Sequence, residues 1–321
     1  MLPGDRAGAP AAPERPTGPL LALVGATASG KTEAGILLAE RLGAEVLSFD
    51  SMSLYRGMDV GTAKPSTEQR GRVPHHLVDV VDPAEPFSIA RFQTLARRAL
   101  AEIAARERRA LLVGGSGLYF RAVVDDLDVP PTDPGTRAAL EYEGTAAGSA
   151  RLHARLRSVD PEAASRIEPG NLRRTVRALE VATITGRPFS SFADDWRRYP
   201  GDRVRAAGVR LLPEVLRRRI EDRVRRQVQD GLVDEVRALL DRGFEGFLTA
   251  GQAIGYAEMI AHVTGRITLQ EAMDRTVRRT RALARRQLAW FRRDPRVRWF
   301  EAGEEGAPGH VDEIGEHLAH G

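Results

Sequence analysis

At 321 residues the chain is long enough for about two domains of ordinary size, or one elaborated domain. The absence of cysteine excludes disulfides and thiolate zinc sites and suits a reducing cytosol, so a cytoplasmic protein is expected. The formal charge of +4 is modest, but its 48 basic residues include only two lysines, Lys31 and Lys64, so a retained lysine is informative.

No apolar run approaches the roughly 20 residues a membrane helix requires. Met1–Gly18 is rich in Pro, Gly and Ala and lacks the basic start and apolar middle of a signal peptide, so residues 1–18 read as a disordered leader. The apolar run Leu20–Val24 reads as a buried parallel strand, and Glu33–Leu42 repeats apolar residues at helical spacing. Between them, Gly25-Ala26-Thr27-Ala28-Ser29-Gly30-Lys31-Thr32 fits the G-x-x-x-x-G-K-[ST] phosphate loop. A strand feeding a glycine-rich turn into a helix aims backbone N–H groups and the positive helix end at one spot. Lys31 supplies a compact cation and the Thr32 hydroxyl can ligate Mg²⁺, so a diphosphate or triphosphate is the expected ligand.

A second strand, Glu45–Phe49, ends in Asp50-Ser51-Met52-Ser53. A carboxylate there lies at the carboxyl edge of the sheet, where open α/β folds bind ligands, although a turn or cap role fits Asp50 equally well. Tyr55–Val73 reads as a glycine-punctuated loop; Lys64 within it marks either a polar task or a plain surface lysine. His75 and His76 precede a short strand expected at Val78–Val81, and adjacent side chains that point apart favour structural over metal-binding histidines. Ser88 is a candidate cap for a helix to about Arg108. The next strand, from Ala110, ends at Gly114-Gly115, where a nucleotide hydrolase often places its magnesium-binding acid. Glycines cannot polarise water, which counts against ATP hydrolysis, but they admit a bulky ligand.

From about Asp133 to Tyr199 the chain is helical and charged, with helices expected at Arg151–Val159, Pro161–Ile167 and Leu172–Thr185. Strand character returns at Val204–Leu212, followed by a helix striped with Val215, Leu216, Ile220, Val224 and Val228. A last long helix, Leu269–Arg293, carries arginines 275, 278, 279, 281, 285, 286, 292 and 293 with few acids beside them in sequence, which favours a polyanionic partner such as nucleic acid. The expected division is a core from 19–130 and 200–302, a helical insertion at 131–199 and a loose tail at 303–321. With no dimer-forming heptad repeat, a monomer is expected.

Several of these stretches together resemble one family, the bacterial tRNA dimethylallyltransferases, also called tRNA isopentenyltransferases. They are Gly25–Thr32, Asp50-Ser-Met, Tyr55-Arg-Gly-Met-Asp-Val-Gly-Thr-Ala-Lys-Pro65, Pro74-His-His-Leu-Val-Asp79 and Val113-Gly-Gly-Ser-Gly-Leu-Tyr119. Arg177-Ala-Leu-Glu-Val181, Gln252-Ala-Ile-Gly-Tyr256, Thr280-Arg281 and Arg285-Arg-Gln-Leu-Ala-Trp-Phe-Arg292 follow in family order. The phosphate loop is widely shared; the Tyr55–Pro65 block is the specific one. Ala26 stands where proline is usual, Ser116 where threonine is usual, and Ser53 where glutamine or leucine is common.

The resemblance implies an α/β fold, a P-loop NTPase-like core with a mainly parallel sheet flanked by helices, plus an α-helical insertion domain. It implies transfer of a dimethylallyl group from dimethylallyl diphosphate to N6 of the adenosine immediately 3′ of the anticodon, on the tRNA anticodon stem-loop. Gly25, Ala26, Thr27, Ala28, Ser29, Gly30, Lys31, Thr32 and Arg219 would bind the diphosphate, with Mg²⁺ on Thr32. Asp50 would be the general base and Ser116 would orient the amine. The RNA clamp implied by the family comprises Asp50, Ser51, Met52, Ser53, Ser116, Arg137, Arg173, Arg174, Arg177, Gln252, Gly255, Tyr256, Arg281, Arg285, Arg286, Gln287 and Arg292. Two enzymatic alternatives share the phosphate loop: a prenyltransferase acting on free adenine nucleotides, and a P-loop small-molecule kinase. A non-catalytic RNA-binding module leaves that loop unexplained.

Overall fold

Continuous apolar runs settle where both faces of a strand are covered, as in a parallel sheet between helical layers. The computed structural model describes residues 18–192, 196, 198–244, 247 and 250–320, so the expected leader, Gly18 apart, lies outside them. Its strands are β1 (Leu20–Gly25), β2 (Ala44–Ser48), β3 (His75–His76), β4 (Arg109–Gly114), β5 (Val204–Leu211) and β6 (Val297–Ala302). They form one sheet in the order β3-β2-β4-β1-β5-β6. Every strand pair in it is parallel.

The helices of the first half are α1 (Lys31–Leu42), α2 (Thr67–Arg72), α3 (Ile89–Ala105), α4 (Gly117–Val124), α5 (Pro134–Ala147), α6 (Ser149–Val159), α7 (Pro161–Arg166) and α8 (Leu172–Thr185). Those of the second half are α9 (Pro213–Gln229), α10 (Leu232–Leu240), α11 (Tyr256–Val263), α12 (Leu269–Phe291) and α13 (Val311–His320). Alternation along the strands divides the core. Ala22, Val24, Leu47 and Leu112 join Phe92, Phe120, Leu232, Met259 and Phe291 on one face. Leu21, Leu23, Val46, Leu111 and Val113 join Ile36, Leu38, Ile314 and Leu318 on the other.

Between α4 and β5 the helices α5 to α8 bury their own core of Leu140, Leu152, Leu156, Ile167, Val176 and Leu179, separate from both sheet layers. Helix α5 is an element that the sequence reading did not single out. Pro134 opens it, and the Asp133 carboxylate caps it by accepting from Thr136 N at 2.6 Å.

Three expectations need correction. The strand expected at Val78–Val81 does not form: Leu77 and Asp79 adopt left-handed φ values of 62° and 58°, and Val81 makes only an isolated bridge with Tyr55. The β2 partner is His75–His76 instead. The loop expected throughout Tyr55–Val73 contains α2, started by a capping box in which Ser66 and Gln69 satisfy each other's backbone N–H groups. The tail expected to be loose is ordered: a 3₁₀ turn at Ala307–His310 leads into α13, and Ile314 and Leu318 are wholly buried beneath it.

Candidate active site

The phosphate loop leaves β1 in the middle of the sheet. A Cβ on Gly25 would come within 2.8 Å of Val209 O on the neighbouring strand, so only glycine lets the loop turn there. Gly30 opens α1 with φ 88°. Within the loop the Lys31 ammonium donates to Ala26 O, and Ser29 Oγ lies 3.4 Å from it. Two distant residues hold the loop from outside. Gln287 on α12 accepts from Thr27 N at 2.8 Å, and Arg219 on α9 donates through Nε to Ala28 O at 2.9 Å.

Above the loop opens a cavity of about 750 Å³, lined by Thr27–Thr32, Ser48, Asp50, Lys64, Arg219, Arg223 and Gln287 among others. Sequence reasoning missed Arg223, although its spacing is the signal: four residues after Arg219 lies the same face of a helix. Arg226 and Gln227 also line the cavity. Burial and the Arg223 charge press the Lys31 ammonium down to about 7, with the Asp50 carboxylate opposing them. Burial and Arg226 likewise lower Arg223, again against Asp50. Two desolvated cations and one carboxylate therefore share one field.

Asp50 follows β2 in a tight turn. Its Oδ1 accepts from Met52 N at 2.8 Å, which fixes the carboxylate's rotamer. Ser53 closes that turn from beneath, its hydroxyl donating to Asp50 O at 3.2 Å and lying 3.0 Å from Ser48 Oγ. At 5% exposure Ser53 supports the turn, and it also lines the cavity. Ser116 is half-buried at the start of α4 and its hydroxyl makes no capping bond. Of the two glycines at the end of β4, Gly114 packs on the Phe49 ring, where a Cβ would meet carbon at 2.7 Å, and Gly115 lies against the Gln287 amide. These glycines admit protein side chains, and both also line the cavity.

The Asp59–Lys64 wall of the cavity has almost no regular structure and is gripped instead. The Lys64 side chain is 2% exposed and its ammonium donates to Tyr55 O at 2.5 Å and to Asp59 Oδ1 and Asp79 Oδ1 at 2.6 Å each. Glu235 on α10 accepts from the N–H groups of Asp59, Val60 and Gly61 at 2.8, 2.8 and 3.1 Å, and from the Tyr256 hydroxyl at 2.6 Å. Gln227 donates to Val60 O and Gly61 O at 3.0 and 2.8 Å, and Arg223 to Thr62 O at 3.2 Å. Tyr256 is fully buried, with its ring where a Gly61 side chain would stand, and Gly255 is buried at the start of α11 with φ 96°. Gly255 and Tyr256 are both buried, and Tyr256 braces the Gly61 wall through Glu235. Burial, then the Glu235 charge, raises the Tyr256 hydroxyl well above the ordinary tyrosine range. The histidine pair is spent locally: His76 Nε2 lies 2.6 Å from Glu45 Oε2 and His75 Nδ1 lies 2.8 Å from Val73 O.

The arginines divide into two groups. On α12 and just past its end, Arg285, Arg286, Arg292 and Arg293 are exposed and have no acidic partner among the described residues. Arg279 and Arg281, by contrast, pair with Glu258 and Glu221. These acids come from α11 and α9, so the stripe is less uncompensated than its neighbours in sequence implied. In the α5–α8 segment, Arg173 and Arg174 are exposed, whereas Arg137 and Arg177 both reach the wholly buried Glu180 carboxylate, at 2.7 and 2.8 Å. Gln252 is exposed, and Gln287 belongs to the phosphate-loop wall.

A parallel sheet with a glycine-lysine loop at its central strand, and ligand-lining side chains at its carboxyl edge, defines a P-loop α/β protein. Within that class the chain belongs to the IPP transferase family, whose profile matches residues 53–294. A second profile, isopentenyl transferase, matches residues 19–73. The chain is 51% identical over 289 residues to a tRNA dimethylallyltransferase of Streptomyces coelicolor, covering 88% of this chain and 90% of that one. A tRNA dimethylallyltransferase of Salinispora arenicola is 50% identical, with 90% and 84% covered. Among solved structures, the tRNA isopentenylpyrophosphate transferase of Bacillus halodurans superposes with a TM-score of 0.69 at 41% identity, covering 94% of this chain and 96% of that one.

Proposed function

We infer that the chain transfers a dimethylallyl group from dimethylallyl diphosphate to tRNA, at N6 of the adenosine 3′ of the anticodon. The observation that carries the reading is the shared field of Lys31, Arg223 and Asp50 at the rim of one phosphate loop. In the proposed reaction the adenine nitrogen attacks C1 of the donor as the C1–O bond breaks. Diphosphate leaves with the bonding electrons, and the N6 proton passes to the Asp50 carboxylate. Lys31, Arg219 and Arg223 stabilise charge developing on the leaving group. Ser116, at the start of α4, orients the amine. The exposed arginines on α12 and α8 track the RNA backbone while the target base leaves its stack.

The Thr32 and Ser48 hydroxyls and the Asp50 carboxylate line the same cavity. One carboxylate with hydroxyl donors suits magnesium, which is held largely by phosphate oxygens and water. Thr32 would hold it, and it would supply further neutralisation of the diphosphate.

The runner-up, a prenyltransferase of free adenine nucleotides, would use the same phosphate loop and Asp50 carboxylate. The match over 53–294 includes the helical segment and the arginine helix, which that activity does not need. A transfer assay decides between them. Labelled dimethylallyl diphosphate is incubated with magnesium and unmodified tRNA, or AMP in its place, using the wild type and Asp50→Ala. Label should enter tRNA, not AMP, and should barely enter with the variant. Label in AMP alone selects the runner-up, and ATP turnover without transfer selects a kinase.

A further inference from the structure

The turn at Glu304–Pro308 lies in a stretch with no motif, yet it is built into the outer wall of the phosphate loop. Ala307 is wholly buried and its N–H donates to Ser29 O at 2.9 Å. Arg219 spans the two segments, with Nε on Ala28 O and a terminal nitrogen on Glu304 O at 2.7 Å. A Cβ on Gly30 would meet Pro308 Cδ at 2.8 Å. Ala28, Ser29 and Gly30 thus each meet the turn, directly or through Arg219. The turn is itself fixed by the Arg218–Glu304 ion pair, by Gly303 N donating to Glu305 at 2.9 Å, and by α13 behind it.

Gly306 is the pivot. Its φ is 68°, and a Cβ there would lie 2.9 Å from Ser29 O and 3.2 Å from the Arg219 guanidinium carbon. A side chain at this position would push on both the loop and its arginine. The peptide plane makes that consequential: with Ser29 C=O held outward by Ala307, Gly30 N–H is turned to the opposite side, away from the tail.

We propose that the Glu304–Pro308 turn is a positioning element for the diphosphate of the donor, with Gly306 the residue that sets its fit. It touches no substrate; it acts by fixing the loop peptides and the Arg219 side chain. The proposal rests on the phosphate loop being the diphosphate site.

The test uses the full chain and inorganic pyrophosphate with magnesium, followed by calorimetry, alongside steady-state kinetics. Gly306→Ala should weaken pyrophosphate binding and raise the donor KM, each roughly tenfold, the scale expected of a sub-ångström displacement of a binding group. kcat at saturating donor and the dissociation constant for tRNA should stay within twofold of wild type (about 0.4 kcal/mol). Gly265→Ala is the matched control, since its φ of 74° carries similar strain but a Cβ there meets nothing within 4 Å. Pro308→Ala, which withdraws the ring from Gly30 and frees the backbone there, should move pyrophosphate binding in the same direction by about threefold. Loss of binding in Lys31→Ala with wild-type binding in both Gly306→Ala and Pro308→Ala would overturn the proposal. Undiminished binding in Lys31→Ala would show that the diphosphate sits elsewhere, and the proposal would fall with that reading.

Discussion

Lys31 and Arg223 line one cavity. Burial first, and then the Arg223 guanidinium reaching in from α9, brings an ammonium that ordinarily titrates at 10.5 down to about 7. A diphosphate reverses this, because an anion favours the protonated lysine. Donor binding should therefore take up a proton, and donor affinity should fall as pH rises above 7. The limiting slope is about tenfold per pH unit for a single coupled group. Calorimetry in two buffers of different ionisation enthalpy measures the uptake directly. Arg223→Gln should move the onset of the fall to higher pH, while also weakening binding.

The same shift has a stability consequence with a definite sign. Between pH 7 and the ordinary lysine value the unfolded chain binds the proton that folded Lys31 has released, so Lys31's contribution to stability rises with pH across that window. Denaturant midpoints of wild type and Lys31→Met from pH 6.5 to 9.5 should differ most at the acid end, with the variant the more stable there.

Lys64 is a structural cation. Lys64→Met should cost about 3 kcal/mol, since it leaves Asp59 and Asp79 facing an apolar chain, although Asp79 keeps Arg70 at 2.6 Å. Lys64→Arg should recover little, because a planar fork cannot meet three acceptors arranged around one point. Urea unfolding reads both.

Glu235 accepts four hydrogen bonds, three of them from consecutive backbone N–H groups. In Glu235→Gln the amide NH₂ must face donors, so about 2 kcal/mol of stability should be lost. Because the loop it holds is a wall of the cavity, the donor KM should rise while the salt dependence of tRNA binding stays unchanged.

The two groups of arginines make separable predictions. Arg285→Ala and Arg286→Ala should each lower the slope of log K for tRNA against log salt by roughly one, with little change in melting temperature. Arg279→Ala should act mainly on stability, because it strands Glu258, which is 6% exposed. Equal salt slopes in both groups would count against the division.

Much of this could be read in the sequence, for physical reasons. The strands β1, β2, β4 and β5 are mostly apolar runs, and the start of α1 is written in its glycines and lysine. The elements that escaped lack that signal. Strand β6 sits at the sheet edge and exposes Arg298 and Glu301, and β3 is two histidines long. The Tyr55–Pro65 block stood out as specific without a visible cause. Its order comes from Lys64 within and from Glu235, Gln227 and Tyr256 far along the chain, and no local pattern encodes such pairs.

The hydrogen bond between Ala307 and Ser29 also orders events in time. A ribosome adds about 5–20 residues each second, so the loop that begins the fold waits on the order of tens of seconds for the turn that backs it. Until then Arg219 lacks the carbonyl of Glu304, and the cavity has a side missing. A nascent chain can thus fold its first strands and helices without acquiring a finished donor pocket. The cavity is closed only after residues 304–308 have been made.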